Sequence, residues 1–183
     1  MGAHIIAVTN QKGGVAKTTT AINLSQALAL RELRLLLVDL DPQGNATQGV
    51  GIPLDTVSLS VGDLILNRDL SPEQVVHKGP GIDLIPATPR LARAEREMVG
   101  MTNSELRLAQ RLNQLRSNYD VILIDTPPTL GPLMNSALNA ADSLIVPVDS
   151  SYFAMMGIKE PRVLAPALHG ESGSLYLRVS VPR

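Results

Sequence analysis

The stretch "NQKGGVAKTTT", residues 10–20, decides the fold of this chain. A bound phosphate needs several backbone N–H donors that converge on it, together with a helix N-terminus and a lysine. Gly13 and Gly14 allow the backbone to come close, and Lys17 and Thr18 supply the lysine and a hydroxyl for Mg²⁺. The stretch therefore predicts a phosphate-binding loop, with Val15, Ala16 and Thr19 completing the nucleotide-binding segment.

The stretch departs from the common pattern G-x-x-x-x-G-K-[ST] at two positions. Gln11 and Ala16 stand where that pattern has glycine, and a second lysine, Lys12, precedes the glycine pair. If position 16 requires a positive φ, alanine costs about 1 kcal/mol there. These departures raise the question whether the loop is a damaged nucleotide site or a different kind of site.

The segments around the loop alternate between strand and helix patterns. "HIIAVTN" reads as a strand before the loop, and "TTTAINLSQALALRE" carries apolar residues at helical spacing after it. Further strands are predicted in "LRLLLVDLD", "GIDLIPAT", "YDVILIDTPP" and "ADSLIVPVD", with helices between them. Thr102 and Glu105 have the spacing of a capping box before one of these helices. The pattern predicts an α/β fold, a mostly parallel sheet with helices on both faces, whose ligands bind at the carboxyl ends of the strands.

The composition narrows the possible functions. Sixteen basic and seventeen acidic residues give a net charge of −1, so any nucleic-acid binding must come from a local patch. The chain has no cysteine, which excludes disulfides, thiolate catalysis and cysteine-ligated clusters. Its three histidines have no carboxylate partners at ligand spacing, so they do not predict a metal site. The absence of a long apolar run predicts a cytoplasmic protein without membrane contact.

Three carboxylates follow predicted strands. "DLDPQGN" places Asp39 and Asp41 at the end of one strand, and "VILIDTPP" places Asp125 at the end of another. Carboxylates beside a phosphate loop would repel a nucleotide unless they hold Mg²⁺ or orient water. Asp125 is therefore predicted to hold Mg²⁺ through water, and Pro127 and Pro128 stiffen the segment after it. A turn or helix-cap role stays open as the alternative for Asp39.

"KGGVAKTT" resembles the deviant Walker A motif, K-G-G-x-G-K-[ST]-[ST], in which an early lysine replaces the early glycine. Together with "DLDPQGNAT", "VILIDTPP" and "ADSLIVPVDSSYFAMMG", it gives residues 4–160 a strong resemblance to the ParA/Soj partition ATPases, a P-loop NTPase family within the MinD/ParA superfamily. The resemblance implies that Lys12 reaches the ATP of a partner subunit and that Asp41 positions the attacking water. It also implies that Asp39 lies near the metal and that Pro127 and Pro128 belong to switch II.

The resemblance also implies a function. The protein would be an ATP- and Mg²⁺-dependent ATPase for chromosome or plasmid segregation, in which Lys12, Lys17 and Asp41 serve catalysis. ATP would drive homodimerisation, the dimer would bind DNA non-specifically on the nucleoid, and a ParB-type partner would stimulate hydrolysis. Relatives of the nitrogenase iron protein share the loop, but the lack of cysteine argues against the cluster-carrying versions. MinD-type proteins share it too, but "DPQGN" is similar to the partition branch.

Two features depart from the family. Ala16 replaces a family glycine that lies close to the partner subunit, and residues 161–183 do not resemble the family. We therefore expect an ATPase core over residues 1–160 and an atypical tail over 161–183, as in a truncated or frame-shifted chain whose fold is incomplete at its C-terminal end. DNA binding is then in doubt for this form. A nucleotide-binding remnant that does not hydrolyse ATP stays open as the alternative function.

Overall fold

The computed structural model describes residues 2–147 and the backbone of one later strand, Tyr176–Ser180. Predictions that concern residues 148–175 and 181–183 lie outside the described residues. The later strand falls within "SLYLRVSV", where the sequence predicts a short strand. No helix within the described ranges is long and apolar enough to cross a membrane.

The strands form one sheet. They are β1 (His4–Val8), β2 (Leu35–Asp39), β3 (Asp83–Ile85), β4 (Val121–Asp125), β5 (Ser143–Pro147) and β6 (Tyr176–Ser180). Their spatial order is β3-β2-β4-β1-β5-β6, and the neighbouring strands in this order pair in parallel. The predicted α/β fold with a parallel sheet is confirmed, and the carboxyl ends of β1, β2 and β4 meet at one edge.

The helices connect the strands and cover the sheet. They are α1 (Lys17–Ala29), α2 (Asn45–Gly49), α3 (Val61–Leu66), α4 (Leu91–Val99), α5 (Ser104–Leu115) and α6 (Pro132–Ala140). Short 3₁₀ turns occur at Leu54–Thr56 and Pro72–Gln74.

Alternate residues of the buried strands supply two cores, one on each face of the sheet. Leu36 and Val38 pack in the larger core together with residues of α3, α4, α5 and α6. Leu35 and Leu37 point to the opposite core, which contains Ala21 of α1. Strands buried on both faces read as continuous apolar runs, which is why "LRLLLVDLD" shows no polar alternation.

The predicted capping box at Thr102 and Glu105 is wrong. Helix α5 begins at Ser104, and the residue before it, Asn103, has a φ of 55° and makes no capping hydrogen bond through its side chain. A capping box requires an extended backbone at the N-cap and a helix that starts one residue later. Asparagine tolerates the left-handed region, so the chain turns at Asn103 and leaves Thr102 outside the helix.

Candidate functional site

The loop between β1 and α1 carries the predicted phosphate-binding residues. Gly14 has a φ of 73° and Ala16 has a φ of 60°, so both occupy the left-handed region. The condition under which alanine at position 16 costs about 1 kcal/mol is therefore met. A Cβ added to Gly14 would meet no heavy atom within 4 Å. The backbone conformation, rather than crowding, is thus what favours glycine in this loop.

A cleft of about 650 Å³ opens over the loop. The loop residues that line it are Gly13, Gly14, Val15, Ala16, Lys17, Thr18 and Thr19. Asp41 lines the cleft from the segment after β2, and Pro127 and Pro128 line it from the segment after β4. The fold therefore gathers residues from three separate motifs around one cavity.

Lys17 is the first residue of α1 and is almost buried, with 8% of its surface exposed. Its Nζ donates a hydrogen bond to the carbonyl oxygen of Lys12 at 3.2 Å, across the loop. Burial lowers the pKa of Lys17, and the charges of Asp125 and Asp41 oppose that shift. Lys12 lies on the exposed part of the loop, and its backbone N–H donates to Oδ1 of Asn10 at 2.9 Å.

Asp125 ends β4 and is fully buried. Neither of its carboxylate oxygens has a hydrogen-bond partner among the described residues. Burial raises the pKa of Asp125 to about 7, and the nearby charges of Asp39 and Asp41 add to this effect. The Thr18 hydroxyl lies close enough to favour the ionised form, although the pair does not reach normal hydrogen-bond geometry.

Asp39 ends the neighbouring strand β2 and is also fully buried, but its oxygens are occupied. Its Oδ2 accepts hydrogen bonds from the backbone N–H and the hydroxyl of Thr47, at 2.8 Å and 2.7 Å. Its Oδ1 accepts a third from the N–H of Asp41 at 3.1 Å. Burial raises the pKa of Asp39 to about 6, against the lowering effect of these bonds.

Asp41 lies just outside the strand end, with 8% of its surface exposed. Its Oδ1 accepts a hydrogen bond from the N–H of Gln43 at 2.9 Å, and its carbonyl oxygen accepts one from Gly44 at 2.9 Å. The bond from its own N–H to Asp39 fixes where the turn starts. Asp41 is therefore held at the rim of the cleft by a closed turn.

The residues at the cleft fit a magnesium ion bound together with a nucleotide. An unpaired buried carboxylate, Asp125, lies beside the Thr18 hydroxyl at the end of a strand. Mg²⁺ prefers oxygen ligands, and in nucleotide sites it takes one or two protein ligands together with phosphate oxygens and water. The described residues contain no cluster of three histidine or carboxylate side chains that could hold a metal without such a ligand.

Sequence reasoning missed the residues that shape the segment after β2. Thr47 is fully buried, and its hydroxyl accepts a hydrogen bond from the N–H of Ala87 at 3.0 Å while it donates to Asp39. Gly44 has a φ of 65°, and an added Cβ would lie 2.7 Å from Cδ2 of Leu54. The signal was present in "DPQGNAT", where a glycine precedes a short helix that carries a threonine.

The comparisons with known proteins agree with the fold. A family model described as an AAA domain matches residues 3–164. The chain is 46% identical over 160 residues to the sporulation initiation inhibitor protein Soj of Bacillus subtilis, a match that covers 85% of this chain and 62% of that protein. It is 38% identical over 181 residues to the chromosome partitioning protein ParA of Caulobacter vibrioides, covering 97% of this chain and 67% of that protein.

A crystal structure of cobyrinic acid a,c-diamide synthase from Mycobacterium smegmatis, with a bound ATP analogue and magnesium, superposes with a TM-score of 0.80. The two sequences are 39% identical, and the match covers 85% of this chain and 64% of that one. The chain thus spans about two thirds of the length of these proteins. By the family match and the partition relatives, this chain belongs to the AAA domain family and, within it, to the ParA/Soj partition proteins.

Proposed function

We propose that this chain is an ATP-binding and ATP-hydrolysing switch protein for DNA segregation. The observation that carries the proposal is the unpaired carboxylate of Asp125, which is buried beside a cleft lined by a phosphate-binding loop. A buried carboxylate without partners is costly, and a cation bound with a nucleotide would offset that cost. Such a group is expected at a functional site rather than in a purely structural core.

The loop would bind the phosphates. Backbone N–H groups from Gly13 to Thr19 lie at the N-terminus of α1, where the helix dipole favours negative charge. The ammonium of Lys17, now bonded to the carbonyl of Lys12, would turn to the β- and γ-phosphates. Burial lowers the pKa of Lys17, and the charges of Asp125 and Asp41 oppose that shift.

Thr18 and Asp125 would hold Mg²⁺, Thr18 through its hydroxyl and Asp125 through bound water. The metal, when bound, neutralises phosphate charge. Asp39 would support this site from the neighbouring strand, because its three hydrogen bonds leave it little capacity for a ligand of its own. Asp41, at the rim of the cleft, would orient the water that attacks the γ-phosphate.

Two copies of the chain would close on ATP, with Lys12 reaching the partner's nucleotide. The exposed position of Lys12 at the mouth of the loop supports this role. The dimer would then bind DNA non-specifically on the nucleoid, and a ParB-type partner would reset it by stimulating hydrolysis. These steps are inferred from the partition relatives, which are longer than this chain.

Light scattering on the purified chain, with Mg-ATP, with Mg-ADP and without nucleotide, tests the proposal. We expect the mass to double only with Mg-ATP, and we expect ATP hydrolysis that the substitution Lys17→Ala abolishes. A mass that ATP does not change, with hydrolysis insensitive to Lys17→Ala, would reject the switch function.

One observation favours a second candidate, a nucleotide-binding protein that does not hydrolyse ATP. Ala16 holds a φ of 60°, and its methyl lines the cleft where a second subunit would approach. Nucleotide binding without turnover or dimerisation, both restored by Ala16→Gly, would support this candidate instead.

A further inference from the structure

A second cleft, of about 290 Å³, lies between α3 and α5. It shares no lining residue with the cleft over the loop of residues 10–20. Three arginines line it, Arg68 from the segment after α3 and Arg107 and Arg111 from successive turns of α5. Leu64 and Ile65 supply its apolar wall. The chain as a whole is close to neutral, so this concentration of positive charge is local.

Arg107 and Arg111 are anchored by backbone carbonyls at the end of α3 and in the segment that follows it. Nη1 of Arg107 donates to the carbonyl oxygens of Ile65 and Leu66, at 3.2 Å and 3.3 Å. Nη2 of Arg111 donates to the carbonyl oxygen of Asn67 at 3.0 Å and to that of Leu70. Cations at a helix C-terminus satisfy its last carbonyls and are favoured by the helix dipole. The two guanidinium groups are therefore positioned in advance of any ligand.

Both guanidinium groups have N–H donors without an acceptor among the described residues. The Nε atoms of Arg107 and Arg111 are buried and have no hydrogen-bond partner among the described residues. Arg107 uses only Nη1, so its Nε and Nη2, which share one edge of the guanidinium, have no hydrogen-bond partner among the described residues. A buried N–H without an acceptor lowers the stability of the fold. Helix capping alone does not explain why these donors have no acceptor.

No carboxylate forms an ion pair with the three arginines within the described part of the chain. The acidic group that influences Arg111 is Glu73, but its carboxylate accepts a hydrogen bond from the Ser71 hydroxyl. Arg68 is exposed and makes no hydrogen bond with the described residues. Glu73 thus compensates the positive charge of the cleft only in part, and no described carboxylate forms an ion pair with these arginines.

We propose that this second cleft binds a phosphate group. The unpartnered Nε and Nη2 edge of Arg107 matches two oxygens of a phosphate, since guanidinium groups bind oxyanions through paired N–H donors. The remaining Nε of Arg111 and the exposed side chain of Arg68 would complete the contacts. The phosphate comes either from a nucleic-acid backbone or from free phosphate, because both present the same tetrahedral oxyanion.

Guanidinium ¹H–¹⁵N spectra of the nucleotide-free chain, with arginine labelled with ¹⁵N, test this proposal. Inorganic phosphate and a short DNA duplex of arbitrary sequence are titrated in turn at constant ionic strength. We expect saturable shifts of the Nε–H signals of Arg107 and Arg111, which the substitutions Arg107→Lys and Arg111→Lys assign. The phosphate-binding loop, residues 10–20, contains no arginine, so phosphate bound there does not mimic this signal.

Two substitutions separate binding from helix capping. Arg68→Gln removes a charge from the cleft without touching the carbonyls of α3, and we expect it to weaken binding about tenfold. Arg31→Gln makes the same change at an exposed arginine outside the cleft, and we expect no effect. Shifts with the duplex alone would assign the site to nucleic acid, and shifts with phosphate alone would assign it to a free anion. No saturable shift with either probe, or equal weakening by both substitutions, would overturn the proposal.

Discussion

The ends of β2 and β4 carry the same residue type at the same level of the sheet, yet their surroundings are opposite. Asp39 pairs in register with Asp125, and both side chains are fully buried. Asp39 accepts three hydrogen bonds, whereas neither oxygen of Asp125 accepts any from the described residues. Two strand ends that look alike in sequence therefore differ in structure: Asp39 is bonded into the fold, and Asp125 is left unpartnered among the described residues, as the proposed metal site requires.

The difference comes from the segments that follow the two strands. After Asp39 the chain turns back through α2, which returns the N–H and the hydroxyl of Thr47 to the carboxylate. After Asp125 the hydroxyl of Thr126 donates to the carbonyl oxygen of Val8, and the next two residues are Pro127 and Pro128. Proline has no N–H to donate. The segment after β4 thus offers Asp125 no backbone N–H from its two prolines, which is consistent with its unpartnered oxygens.

The largest expected effect is a difference in kcat between Asp125→Asn and Asp39→Asn, measured in steady-state ATP hydrolysis with saturating Mg²⁺. We expect Asp125→Asn to lower kcat at least about a hundredfold, because the proposed site would lose the charge that holds the metal. Asp39→Asn should mainly lower the free energy of unfolding, by about 1–3 kcal/mol, since an amide nitrogen cannot accept the bonds that the carboxylate accepts. Equal losses of kcat in the two variants would contradict the claim that Asp39 and Asp125 have different roles.

The pH dependence of stability gives the next largest effect. The pKa of Asp125 is about 7 in the folded chain, above the ordinary value near 4 that applies to the unfolded chain. Between these values the folded state binds more protons than the unfolded state, so the free energy of unfolding falls as the pH rises. We expect a loss on the order of a few kcal/mol between about pH 4 and about pH 8 in the absence of nucleotide.

Urea unfolding across that pH range measures this effect. Asp39, with a pKa of about 6, contributes in the same direction, so the difference between the wild type and Asp125→Asn measures Asp125 together with its interaction with Asp39. We expect the profile of Asp125→Asn to be flatter than that of the wild type. Profiles of the same slope would mean that burial does not penalise the charge of Asp125.

Thr47→Val tests the donors that Asp39 receives. The valine keeps the shape of threonine but removes a donor to Asp39 and an acceptor for the N–H of Ala87. We expect the free energy of unfolding to fall by about 1–3 kcal/mol, because two buried polar groups lose partners. Thr47→Ser keeps the hydroxyl and is the matched control, so a loss as large in the serine variant would contradict the account.

The smallest effect concerns the loop that faces Asp125. Ala16→Gly should raise the free energy of unfolding by about 0.5–1 kcal/mol, since it relieves a left-handed alanine at some cost in chain entropy. Gly14→Ala should lower it by about 1 kcal/mol, because space for the methyl is available but the conformation disfavours it. Thermal unfolding of both variants checks the signs, and matching signs would contradict the conformational argument.

Much of this fold was predictable because its signals are local. Apolar runs predicted β1, β2, β4 and β5, and the loop pattern predicted where α1 starts. The segment of residues 45–80 was not predicted, since its elements are short and depend on contacts made elsewhere. Real capping boxes lie there, at Ser60 and Asp63 before α3 and at Ser71 and Gln74, whereas the one predicted at Thr102 is absent.

The candidate site was predictable only in part, because the role of one of its carboxylates depends on a contact between residues distant in sequence. The sequence identified Asp39, Asp41 and Asp125 as strand-end carboxylates and left a structural role open for Asp39. It could not decide between the two roles of Asp39, because the answer depends on Thr47, which lies eight residues beyond Asp39 and meets it only after α2 has formed. The proline pair after Asp125 is the one local sign that this carboxylate would lack donors.

The affinity of Mn²⁺, bound together with a non-hydrolysable ATP analogue and followed by electron paramagnetic resonance, tests the difference between the two strand ends most directly. Manganese replaces magnesium and reports on its ligands, and the wild type, Asp39→Asn and Asp125→Asn would be compared at one pH. The account predicts that Asp125→Asn lowers the affinity for Mn²⁺ at least about tenfold and that Asp39→Asn changes it less than about threefold. A larger loss in Asp39→Asn than in Asp125→Asn would contradict it.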